Sequence, residues 1–179
     1  EASAFFLCSI NKLFIPKNVE IIEHYAFSGI AYCEALNIPQ GWSHMWNDFL
    51  NKDITAYWNI AQEDIKSNDL FEYLIIDNKI KITKYIGNEN ILEIPRYIDG
   101  IIVNSIGDFA FFLTSIKNLI INDNIISFGK GSFFHCTLEN ISIPNTITSF
   151  EDSLFEGSAI CKIYVPAESL DAYKTAKGL

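Results

Sequence analysis

The chain has 179 residues, 49% of them hydrophobic, with 14 Phe and 8 Tyr. That is ample apolar surface for a packed core and too much for a disordered tail. Its formal net charge of -9 argues against nucleic acid and against an anionic membrane surface as partners, because both need clustered Lys and Arg. No apolar run approaches the roughly 18 residues of a membrane span, so no membrane insertion is expected in this segment. The chain opens on "EASAFFLC" without an initiator Met, which reads as a piece of a longer polypeptide.

From the N-terminus, "AFFLCSINKLFIPKNVEIIEHYAF" (Ala4 to Phe27) returns to its Phe after 22 residues, from Phe5 to Phe27. The same interval separates Phe111, Phe133 and Phe155. Eight residues beyond the anchors lie Leu13, Leu119, Ile141 and Ile163. Ten beyond lie Ile15, Ile121, Ile143 and Val165, and eleven beyond lie Pro16, Asn122, Pro144 and Pro166. Val19, Ile125 and Ile147 follow at fourteen, and Ile22, Phe128 and Phe150 at seventeen. Such agreement marks one structural unit written repeatedly.

In "LFIP" and "ISIP" (Ile141 to Pro144) the apolar alternation predicts a short strand, ended by a proline that cannot donate to the ladder. The apolar positions point inward and the middle residue points to the opposite, concave face. One unit cannot bury its apolar side alone, whereas stacked units form a parallel sheet along a solenoid. A period of this length with an apolar-x-x-apolar-x-apolar core is the leucine-rich-repeat pattern. The expected fold class is therefore α/β and β-rich: a right-handed leucine-rich-repeat solenoid of short parallel strands, about 22-residue repeats and capping units.

The aligned stretches resemble the treponemal-type, BspA-like leucine-rich repeats, whose pattern is roughly "AF…C..L..I.IP..V..IG..AF". Ala4 to Phe27 and "SFFHCTLENISIPNTITSFEDSLF" (Ser132 to Phe155) carry it. "AYCEALNIPQGWSHMWN" (Ala31 to Asn47) resembles a closing unit of that family, reached several residues sooner than a full repeat allows. "FEYLIIDNKIKITKYIGNENILEIPRYIDGIIVNSIGDFAF" (Phe71 to Phe111) resembles an opening unit, and "IYVPAESLDAYKTAKG" (Ile163 to Gly178) a closing one. About Lys52 to Leu70 is left outside the resemblance. One repeat departs from the pattern by placing Asn122 where proline is expected.

Two blocks follow. Residues 1–60 read as the end of a first array with its closing unit, 61–70 as a polar linker, and 71–179 as a second array with an opening hairpin and a helical cap. Within Gly41 to Leu50, Trp42, Met45, Trp46 and Phe49 share one helical face. "YLII" and "IKIT" flank Asp77-Asn78-Lys79, the signal of a tight turn. After Pro166 a short helix is expected to turn Leu170, Tyr173 and Ala176 inward and to stop at Gly178.

Chemistry is sparse. The histidines His24, His44 and His135 form no HExxH. Cys8, Cys33, Cys136 and Cys161 form no CxxC pair, so a zinc or thioredoxin-like site has no support. Cys8 and Cys136 both stand three residues past an anchor and read as small buried turn residues. Glu151-Asp152 and Glu63-Asp64 are adjacent and do not converge across a gap as an acid/base pair must. "INDNI" (Ile121 to Ile125) lacks the EF-hand loop, and "SFGKGS" (Ser127 to Ser132) lacks Walker spacing. No catalytic residue, metal or cofactor is expected.

The candidate partner-binding residues are the outward strand positions Phe14, Ile120, Ser142 and Tyr164, with Lys12, Asn118, Asn140 and Lys162 before them. Exposed aromatics in a row suit a partner, because aromatic anchors dominate interfaces. The resemblance implies a non-catalytic module of surface-exposed or secreted proteins, binding a protein or glycan macromolecule through the sheet face. The alternative is a structural spacer in a larger surface protein.

Overall fold

Strands form where the apolar-x-apolar cores fall. The computed structural model describes residues 12–19, 30–34, 55–58, 60–147, 150 and 153–175. The chain divides into two units, Glu1–Ile65 and Lys66–Leu179. The expected helix over Gly41 to Leu50, Cys8, His24, His44, Ala176 and Gly178 lie outside the described residues.

In the first unit β1 (Lys12–Ile15), β2 (Ile30–Cys33) and β3 (Thr55–Trp58) make a parallel three-stranded sheet in that order. Phe14 stands in register with Tyr32, and Tyr32 with Tyr57. Ile15 is buried, and Val19 N–H closes a turn onto the Pro16 carbonyl at 3.1 Å. The third strand falls in the stretch to which the repeat pattern gave no role. Its four residues, "TAYW", are β-branched or aromatic apart from one alanine, and that composition favours a strand.

The second unit opens with β4 (Lys66–Ser67), β5 (Phe71–Ile76) and β6 (Lys79–Tyr85), paired antiparallel in sequence. The turn of the β5–β6 hairpin is Asp77-Asn78, both at positive φ. That is the type I′ geometry which suits the twist of a two-residue hairpin, and Asn and Asp tolerate it. β6 then pairs in parallel with β9 (Ile101–Ile106), which β8 (Tyr97–Ile98) joins antiparallel and β11 (Ser127–Phe128) joins in parallel.

A second sheet carries the repeat. β7 (Ile91–Glu93), β10 (Ser115–Ile120), β12 (Thr137–Ser142) and β13 (Ala159–Tyr164) lie side by side, all parallel. Backbone bonds recur at the same interval, from Ile121 N–H to Ser142 O and from Ile143 N–H to Tyr164 O, both 2.9 Å. The anchor rings stack between the sheets' inner sides. Tyr85, Phe111, Phe133 and Phe155 lie centroid to centroid at 5.4, 5.3 and 5.3 Å. Phe111 and Phe133 are fully buried. Burying such rings stabilises by about 2–3 kcal/mol each, with stacked pairs adding somewhat more.

The turns around each anchor are left-handed. Phe109, Gly131 and Ser153, two residues before the anchors, have φ of 51°, 54° and 63°. Leu113, His135 and Gly157, two residues after, have φ of 58°, 52° and 69°. Only two of these six are glycine, so the stack holds four side chains in a conformation that costs about 1–2 kcal/mol each.

Asn122, standing where the neighbouring repeats have proline, is buried. Its Nδ2 donates to Ile94 O at 2.9 Å and Pro95 O at 3.1 Å, and its Oδ1 accepts from Asn124 N–H at 2.8 Å. The amide ties one turn to the previous one, a role the proline ring cannot fill. The array ends in a 3-10 turn, Ala167–Ser169, and α1 (Leu170–Thr175). Tyr173 packs inward as expected, its ring 5.1 Å from that of Phe150 and its hydroxyl donating to Pro144 O at 2.6 Å. Leu170 does not: it is 43% exposed, because it opens the helix directly out of the 3-10 turn.

Candidate sheet-face site

The spacing of inward residues sets what faces outward. In β10, Ile116 and Leu119 are buried, three apart, as are Leu138 and Ile141 in β12. Each strand is therefore six residues long, and two consecutive residues between the buried pair turn outward. Asn118, Asn140 and Lys162, expected before the strands, lie inside them and align in one register row with Ile91. Ile120, Ser142 and Tyr164 align in a second row with Glu93. The three-residue step from Ile116 to Leu119 was the signal for the longer strand. It brings in Lys117 and Glu139, which no position count had singled out.

The face is exposed. Ile91 is 65% exposed, Ile120 41% and Tyr164 51%, while Ser142, Asn118 and Asn140 are half-buried. Asn140 Nδ2 donates to Asn118 Oδ1 at 2.7 Å, an amide ladder across two strands. Lys117 and Glu139 approach to 3.8 Å on adjacent strands. Both ends of that pair are solvent-exposed, so the contact contributes little stability. At the carboxyl end of the strands a shallow hollow of about 270 Å³ is lined by Ser142, Pro144, Tyr164, Val165 and Pro166 with the ends of Ile121 and Ile143. The second unit thus brings six of the eight predicted residues onto one face. Phe14 and Lys12 belong to β1 in the first unit, where Phe14 is half-buried.

Outside the face, Cys136 is structural in placement. Cys136 is buried, its thiol donating to Phe111 O at 2.8 Å. Burial pushes that thiol up to about 11, against the lowering effect of hydrogen bonds from Thr114 and Ser158. A thiol held there is not a thiolate at neutral pH and makes a poor nucleophile. Its role is that of the small turn residue expected from the repeat. Among the described residues no group of three or more His, Cys, Asp or Glu is placed to hold a metal, and no helix is long and apolar enough to cross a membrane.

The chain matches the family described as "BspA type Leucine rich repeat region" in six copies, over residues 1–69 and 103–176. It belongs to the BspA-type leucine-rich repeat family. As such it is a repeat module of the kind that serves protein interaction. Family coverage to residue 69 takes in most of the Lys52 to Leu70 stretch that sequence reading had set aside. Among solved structures it is similar to a leucine-rich repeat protein from Bacteroides capillosus, at 19% identity and a TM-score of 0.44, over 58% of this chain and 99% of that one. It is also similar to a leucine rich cell surface protein from Faecalibacterium prausnitzii, at 19% identity and a TM-score of 0.38. There the likeness covers 95% of this BspA-type chain and spans about half, 52%, of the other. No curated protein matches it.

Proposed function

We propose that this BspA-type chain is a non-catalytic recognition module of a surface-exposed or secreted protein, binding a macromolecular partner through the outward face of the β7–β10–β12–β13 sheet. The observation that carries this reading is the pairing of exposed Ile120 and Tyr164 in one register row beside the Asn118–Asn140 ladder. Asn118, Ile120, Asn140 and Ser142 stand on β10 and β12, whose opposite sides are buried in the core, so they are held in place before any partner arrives. Such preorganisation lowers the entropic cost of binding. The partner meets shape and hydrogen bonds, and no group on the face is arranged to do chemistry. Six of the eight predicted residues are assigned to this contact, and Lys12 and Phe14 are assigned a partner-binding role on the separate sheet of the first unit. The family resemblance supports an extracellular setting.

Two measurements test the proposal. Protease shaving of intact cells that make the full-length parent should release this segment, with lysed cells as the control for protease activity. Protection in intact cells alone would move the module inside and end the surface reading. In binding assays against extracellular proteins and glycans, the Ile120→Ser, Tyr164→Ser double variant should keep its fold and lose affinity by roughly tenfold or more, as removal of interface anchors does. A variant that binds every partner as the parent does would remove the sheet face from the account.

A further inference from the structure

The chemistry of the face narrows the partner class. The second unit's face carries Lys117 and Lys162 against Glu93 and Glu139, so its formal charge is zero in a chain of -9. A charged partner gains nothing from such a surface, and an uncharged one meets no repulsion. The centre of the face is mixed: the amide ladder with Ile120 and the hydroxyl of Ser142 beside it, and Ile91 and Tyr164 at opposite ends of the rows. A protein hot spot instead asks for a continuous aromatic or arginine-rich centre within a polar rim, which this face lacks.

Amides both donate and accept without carrying charge. Asn140 spends one N–H on Asn118. The side-chain N–H groups of Asn118 and Asn140 Oδ1 make no hydrogen bond among the described residues, and both residues are half-buried on the face. Donors and an acceptor fixed side by side match the vicinal hydroxyls of a sugar ring. Adjacent strands are about 4.8 Å apart, close to the advance of one pyranose unit in an extended polysaccharide. One register row therefore offers a polar side chain on three successive strands, Asn118, Asn140 and Lys162. The Tyr164 ring, with Pro144 and Pro166 around the hollow beneath it, supplies a flat apolar wall for the C–H face of a terminal ring.

We infer that the ligand of this face is an uncharged polysaccharide lying across the strands, along the axis of the repeat, with its hydroxyls on the Asn118–Asn140 ladder and a ring against Tyr164. The inference rests on the sheet-face reading above and names its partner class.

Affinity electrophoresis of the whole chain in gels holding a neutral β-glucan, a mannan or a galactan tests it, with a polyuronate as the charged comparator. At least one neutral polymer should retard the chain, equally at low and high salt, since no ion pairs are screened. Asn118→Ala with Asn140→Ala should weaken the retardation roughly tenfold, from two or more hydrogen bonds of about 1 kcal/mol. Tyr164→Ser should weaken it independently, and circular dichroism checks that both variants fold. Retardation by the polyuronate alone, by no polymer, or unchanged in both variants overturns the inference. A protein partner whose binding fails in the same variants, with no polymer bound, would sink the polysaccharide and leave the sheet-face module standing. Partner and polymer binding both indifferent to these variants would sink the two together.

Discussion

Strands β12 and β13 occupy the same place in successive repeats, yet they live in different surroundings. Ile141 in β12 has no exposed surface, whereas its counterpart Ile163 in β13 is 38% exposed. The cause is position in the stack: β12 has β10 on one side and β13 on the other, while β13 pairs only with β12 among the described strands. An apolar residue at a repeat position is thus an offer of burial, and the neighbouring repeat decides whether it is taken up.

The sharpest way to break this comparison is to truncate both members. Ile141→Ala should cost about 2–5 kcal/mol in urea unfolding, as a fully buried aliphatic does, and Ile163→Ala under about 1 kcal/mol. Equal costs would mean that the terminal strand is covered in solution.

A second test uses the thiol. The folded chain holds the Cys136 proton up to about 11, where an ordinary thiol loses it near 9.0. Stability from this group is therefore complete below pH 9, falls as pH rises, and is gone above about 11. The loss amounts to roughly 3 kcal/mol. Cys136→Ala removes the group, so the difference between parent and variant should shrink across that window; a constant difference would deny the buried thiol its part.

The smallest effect lies in the turns. Leu113→Gly relieves a left-handed leucine that is mostly exposed and should raise stability by up to about 1 kcal/mol. Gly157→Ala at the equivalent position, where the added Cβ would also press on the His135 ring, should lower it by at least as much, measured as opposite shifts in Tm. Shifts of the same sign would show that side-chain contacts, not backbone conformation, rule these turns.

Much of the solenoid was legible in the sequence because burial repeats with the chain. Phe111, Phe133 and Phe155 announce the ring stack, Tyr173 the cap, and Asp77-Asn78 the hairpin. What escaped was written in single copies or in conformations that residue type hides. Thr55–Trp58 was given no place in the 22-residue register, although Tyr57 stands eight residues beyond Phe49 as Leu13 does beyond Phe5, so its strand was not foreseen. Phe109, Leu113, His135 and Ser153 adopt left-handed turns that only Gly131 and Gly157 advertise. Asn122 reads as a defect until the carbonyls of Ile94 and Pro95 are brought beside it. On the face, the outward row at Ile120, Ser142 and Tyr164 was readable from alternation. The second outward row needed the Ile116 to Leu119 step, and the amide ladder needed two strands in register.

The ring stack has a consequence for how such a chain changes over generations. Each turn contributes one ring, so a duplication or loss of 22 codons between Phe111 and Phe133 leaves every ring with a neighbour above and below. A fragment that brings no ring into line with the column interrupts it and strands an aromatic beside a void. Reach along the repeat axis is therefore inherited in whole steps, and a gene can lengthen or shorten its product by recombination without redesigning a core.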